Sequence, residues 1–195
     1  SKLEFSFFTK ANAQPPSLQN QNSTEELIKS LDSDNSYERR VARTKLAEQG
    51  EASAKPLIEI FINENRNGER NRLKIGTLVA LAEMSRENET AEKVSTIVDD
   101  YFINELIDSV NDEDKTIRIY STELLSLIDH PRITQTAIEK FKEASPNGKY
   151  NYALLIRNKA QTLPEDERLL ILSEVEKLKS ELTPKTNVIL NQISE

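Results

Sequence analysis

Leu27-Ile28-Lys29-Ser30-Leu31-Asp32-Ser33-Asp34-Asn35-Ser36-Tyr37-Glu38-Arg39-Arg40-Val41-Ala42-Arg43-Thr44-Lys45-Leu46-Ala47-Glu48-Gln49-Gly50 is the stretch whose reading decides the fold. Leu27, Ile28 and Leu31 share one face of a helix, because side chains three and four apart lie above one another. Ser23 or Thr24 supplies an N-cap ahead of them, and Glu25 and Glu26 sit where the helix dipole favours acids. The polar run Asp32 to Ser36 ends that helix and caps the next. Val41, Ala42, Leu46 and Ala47 form a second apolar stripe, and Gly50 is a left-handed stop. Two short amphipathic helices with a tight turn between them predict a helical hairpin.

The whole composition agrees with that stretch. The chain has 195 residues, room for one domain or a short repeat array. Hydrophobic residues make up 36% and charged residues 30%, which suits thin elements burying one stripe each. Four glycines are few for a sheet protein, while helix formers are abundant. The net charge of −7 argues against a surface built for nucleic acid or anionic membrane. Zero cysteines exclude disulfides and thiolate metal sites, and one histidine excludes histidine-rich metal chemistry. No apolar run is long enough to cross a bilayer.

Working outward, Pro56 falls in the first turn of a helix carrying Leu57, Ile58, Ile60 and Phe61, with a polar turn at Asn63 to Gly68. Leu73 to Met84 reads as a strongly apolar helix broken at Asn88-Glu89-Thr90. A further helix runs from Val94 through Val110. Asn111 to Asp114 repeats the first turn, followed by Ile117-Arg118-Ile119-Tyr120-Ser121 and the stripe Leu124, Leu125, Leu127, Ile128. Asp129-His130-Pro131 ends that helix, and Thr134 to Phe141 forms a short one. Pro146-Asn147-Gly148 is a turn signal. The last unit pairs a helix through Tyr150 and Ala160 with one beginning at Pro164, whose stripe runs from Leu169 and Leu170 to Leu182. Pro184 is a stop before a short final helix.

The first unit resembles a HEAT repeat, through Leu27-Ile28-x-x-Leu31, Asp32-Ser33-Asp34, Arg39-Arg40-Val41-Ala42-Arg43 and Leu46-Ala47-Glu48-Gln49-Gly50. The third unit is similar, the second and fourth less so. The resemblance implies an all-α fold, a right-handed α-α superhelix of about four hairpins spanning residues 24–195. It also implies a ladder between repeats, for which Asp32 or Asp34 and Arg39 or Arg40 stand at the matching positions. HEAT-like proteins typically act as scaffolds that bind proteins. The expected function is therefore a non-enzymatic adaptor for another protein or a neighbouring domain, without cofactor, nucleic acid or membrane insertion. The expected partner face is the one lined by the second helices, marked by Arg40, Arg43, Arg118 and Arg157. The alternative is a helical-repeat enzyme of lyase or DNA-glycosylase type.

Other chemistry finds little support. His130 has no metal-ligand companions, so a structural role is expected. Asp32-x-Asp34-x-Ser36 begins like a calcium loop but has Tyr37 where glycine is needed and Arg43 at the closing position. Asp99 and Asp100 read as helix-surface charge. Residues 1–23 read as an extended arm bearing Leu3, Phe5, Phe7 and Phe8. Ala11-Asn12-Ala13 before a polar, proline-containing stretch resembles the end of a secretory signal peptide. The expected compartment is cytoplasmic, or exported if that segment is a signal remnant.

Overall fold

The computed structural model describes residues 23–195. The expectations for the arm and its signal-like segment lie outside those residues. Eleven α-helices follow in order. They are α1 (Thr24–Ser30), α2 (Ser36–Glu48), α3 (Glu51–Asn67), α4 (Asn71–Met84), α5 (Asn88–Ile97) and α6 (Asp100–Ser109). Then come α7 (Lys115–Leu127), α8 (Ile133–Phe141), α9 (Pro146–Ala160), α10 (Glu165–Glu176) and α11 (Pro184–Asn191). Short 3-10 turns follow α10 and α11. There is no strand among the described residues, so the fold class is all-α.

Side chains cap six of the eleven helix starts. Ser23 Oγ accepts from the Glu26 amide, Asn35 from Tyr37, Asp99 from Phe102, and Asp114 from both Thr116 and Ile117. Ser145 and Thr183 do the same ahead of Pro146 and Pro184, prolines whose missing N–H costs nothing at a first helical position. Gly50, at φ 56°, turns the chain from α2 into α3 in a conformation that a Cβ disfavours.

Four consecutive pairs pack face to face: α1 on α2, α3 on α4, α6 on α7, and α8 on α9. The second members also pack on one another in chain order, α2 on α4, α4 on α7 and α7 on α9, and α11 extends the line on α9. We refer to these five helices as the row. On the other side, α6 bridges α3 and α8, while α5 lies on α3. The core runs between the two layers. Phe61 and Phe102 meet edge to face at 5.6 Å, and the Tyr152 hydroxyl, buried beneath the row, donates to the Ile107 carbonyl at 2.7 Å. Gly76 of α4 lets α1 come close: a Cβ there would stand 3.0 Å from Leu31 Cβ.

Several expected boundaries move. Pro56 lies in the sixth position of α3, not its first turn, because the helix begins at Glu51 straight after the Gly50 turn. Asn63 to Asn67 continue α3 instead of forming a turn. Glu64 points inward there and meets Arg70, and Asn65 bonds Glu105 of α6. The α4 break falls at Ser85–Glu87, so Asn88-Glu89-Thr90 open α5. The long helix expected from Val94 to Val110 is two, because Val98 is extended and Asp99 caps a new start. Pro146-Asn147-Gly148 is the first turn of α9, and Pro184 begins α11. The last pair is α8 with α9, not α9 with the helix after Pro164. In α10 the run Leu169-Leu170-Ile171-Leu172 has several apolar phases; Ile171 and Val175 face in, while Leu169 and Leu170 are exposed.

Candidate interaction surface

Each of two turns in the row is held by one arginine in the same way. Arg39 Nη1 donates to the carbonyls of Ser33 and Asp34 at 2.7 and 3.1 Å. Arg118 Nη1 donates to the carbonyls of Asp112 and Glu113, both at 2.9 Å. The sequence offsets are identical, six and five residues, and Asn35 and Asp114 cap the following helix at the same offset. Charged donors on carbonyls left open by a tight turn make strong hydrogen bonds. Arg118 also donates through Nε to Asn151 Oδ1 at 3.3 Å, across to α9.

The turn acids make the bridges between hairpins, and α4 receives them. Asp34 Oδ1 lies 2.8 Å from Arg72 Nη1, and Asp32 Oδ2 lies 3.7 Å from Arg70 Nη1. From the other side, Lys74 Nζ lies 3.3 Å from Asp112 Oδ2. The Arg72 hydrogen bond, and then its charge, hold the Asp34 carboxyl below the usual carboxylate range. Asp32 and Asp34 thus pair with cations of the next hairpin, Arg70 and Arg72. Arg39 serves its own turn. Sequence reading passed over Arg70, Arg72 and Lys74 because their hairpin has no turn aspartate. A signal was present, since three cations at the start of a helix oppose its dipole and call for acids from a neighbour.

Of the four arginines expected to face a partner, two are engaged inside the chain. Arg118 is 8% exposed and committed to its turn. Arg157 donates to Gln192 Oε1 at 2.6 Å and to Asn158 Oδ1, linking α9 to the C-terminal turn. Arg40 is exposed with its guanidinium 5.9 Å from the Tyr37 ring centroid, and Tyr37 is 63% exposed. Arg43 lines two adjoining shallow clefts, one with Arg72 and Gly76 and the other with Arg86 and Tyr120. Neither Arg40 nor Arg43 makes an ion pair with a described residue.

The row and the remaining helices differ sharply in charge. The five row helices hold 12 Lys and Arg against 4 Asp and Glu. The six other α-helices hold 6 Lys and Arg against 16 Asp and Glu. A chain that is acidic overall therefore concentrates its helical cations in the row.

The remaining titratable groups have structural places. His130 Nε2 lies 3.1 Å from Asp100 Oδ1, and Arg132 holds the other oxygen of that carboxylate at 2.9 Å. Lys159 Nζ donates to the carbonyls of Ser126 and Ile128 at the end of α7; burial pushes its pKa down to about 8, against the pull of Asp129. No described grouping of His, Asp and Glu is arranged to hold a metal, and no described helix is long and apolar enough to cross a membrane. The chain matches no protein-family model and no curated protein sequence.

Proposed function

We propose that the chain is a non-enzymatic protein-binding scaffold, a short right-handed stack of HEAT-like hairpins whose row of second helices faces an acidic partner protein or neighbouring domain. The observation that carries this reading is the charge division between the row and the remaining helices. Charge complementarity steers encounter and rejects wrong partners, so a basic row on an acidic chain selects an anionic surface. Arg40, Arg43 and the exposed Tyr37 form one part of that face with unengaged cations and an aromatic anchor. The repeated turn geometry at Arg39 and Arg118 supports the HEAT-like reading.

The same charge division favours nucleic acid as the second reading, on a glycosylase-like scaffold. Against it, Arg39, Arg72, Lys74, Arg157 and Lys159 are spent on contacts within the chain, five of the twelve row cations that a phosphate backbone would otherwise draw on. Pull-down from native-host lysate with the full chain tests both. A saturable protein partner, lost in Arg40→Glu/Arg43→Glu, is the expected result. Retention of the same partner by that variant would overturn the assigned face. Recovery of nucleic acid, abolished by nuclease, would move the assignment to the second reading.

A further inference from the structure

A cleft of about 570 Å³ opens between the N-terminal ends of α7, α9 and α11. Its walls are largely apolar, from Ile119, Leu154 and the ring of Tyr150. Ile119 is a β-branched side chain left 43% exposed in the row. Lys115 and Lys185 stand at the rim, Lys185 with its Nζ 4.1 Å from the Tyr150 ring centroid. Neither lysine pairs with a described carboxylate, and no acid lines the cleft.

The deeper polar groups are donors as well. Arg118 and Asn151 line the cleft at 8% and 6% exposure. Arg118 uses Nη1 and Nε internally, and Asn151 uses Oδ1. Arg118 Nη2 and Asn151 Nδ2 hydrogen-bond to no other described residue. Both nitrogens therefore remain able to donate to a group that enters the cleft. The cleft therefore combines apolar walls, two rim cations and two spare donors.

We propose that this cleft takes an acidic peptide segment of a partner protein. One apolar side chain enters against Ile119 and Leu154. Carboxylates flanking it meet Lys115, Lys185 and the free Arg118 nitrogen, while Asn151 Nδ2 donates to a peptide carbonyl. The size suits one large side chain with its adjoining backbone. The apolar walls disfavour a bare inorganic anion, and the Tyr150 face is covered by Lys185 instead of open for base stacking. This inference rests on the scaffold reading and makes it specific.

The probe is a random-peptide phage library selected on the immobilised full chain and counter-selected on Lys115→Glu/Lys185→Glu. Expected is a consensus of Asp and Glu around one apolar residue. An enriched peptide should bind at least about tenfold more weakly to the Glu pair in fluorescence anisotropy, and more weakly as salt rises. Lys115→Gln/Lys185→Gln, which removes charge without reversing it, should show a smaller loss at an unchanged melting midpoint. Lys55→Glu/Lys142→Glu, on exposed lysines outside the row, should bind like the parent. The proposal is overturned by no enrichment, by a consensus without acids, or by equal binding to the Glu pair. Displacement of the peptide by a duplex oligonucleotide of higher affinity would also overturn it. A lysate partner that requires Arg40 and Arg43 but not Lys115 and Lys185 would sink this inference and leave the scaffold reading standing.

Discussion

Helices α2 and α7 occupy equivalent places in their hairpins and begin in the same way, yet they are held very differently. Arg39 grips the turn before α2 from a half-buried position, with only α4 beside it in the row. Arg118 makes the same grip before α7 from within the stack and ties on to Asn151 of the next hairpin. At its far end α7 is gripped again, by Lys159 on the Ser126 and Ile128 carbonyls. Among the described residues the end of α2 has only neutral hydrogen bonds, with Ser53 Oγ donating to the Leu46 carbonyl at 2.6 Å. The local motif is thus the same, and neighbours decide what it is worth.

That difference can be broken one grip at a time. Arg118→Met should cost the most, about 3 kcal/mol in urea unfolding, since it orphans two turn carbonyls and the Asn151 amide oxygen in a buried place. A loss below about 1 kcal/mol would mean that the turn holds itself.

Lys159 comes next, and its effect depends on pH. The folded chain binds that proton less tightly than the unfolded chain, so stability should rise between about pH 8 and the ordinary lysine range near 10.5. Each unit of difference is worth about 1.4 kcal/mol, and partial solvation reduces the total to about 2. Tyr152, whose burial raises its pKa, works in the opposite sense above pH 10 and marks the upper edge of the window. Urea titrations at pH 7.5 and 9.5 should show the rise in the parent chain and its absence in Lys159→Met.

Arg39→Met should have the smallest effect, about 1 kcal/mol, because water can reach the carbonyls it leaves. Equal losses for Arg39→Met and Arg118→Met would erase the distinction between the two helices.

What was legible in the sequence followed from local rules. The hairpin at Leu27 to Gly50 was readable because stripe, cap and stop signals coincide within one short stretch. The recurrence of the turn at Asn111 to Asp114 was readable for the same reason. Boundaries failed where two signals competed. Asn63 to Asn67 are polar enough for a turn, but Glu64 finds Arg70 and Asn65 finds Glu105, and those contacts keep the helix going. Val98 and Asp99 sit inside an apolar run whose break depends on one capping carboxylate. Of the arginines expected on the partner face, Arg40 is exposed and Arg43 half-buried, and neither bonds a described residue. Arg118 and Arg157 are engaged within the chain, and nothing local says which cation a later hairpin will cover. The cleft near Tyr150 needed α11, far along the chain, to bring Lys185 to it.

The division of charge between the row and the remaining helices also bears on time, beyond what is bound. A basic row packed against helices with an acidic excess gives the described residues an uneven charge distribution. An approaching acidic surface would be turned toward the row before any side chain touches, within a Debye length of about 8 Å at physiological salt. The speed of encounter, more than the lifetime of the complex, should then fall as salt is added.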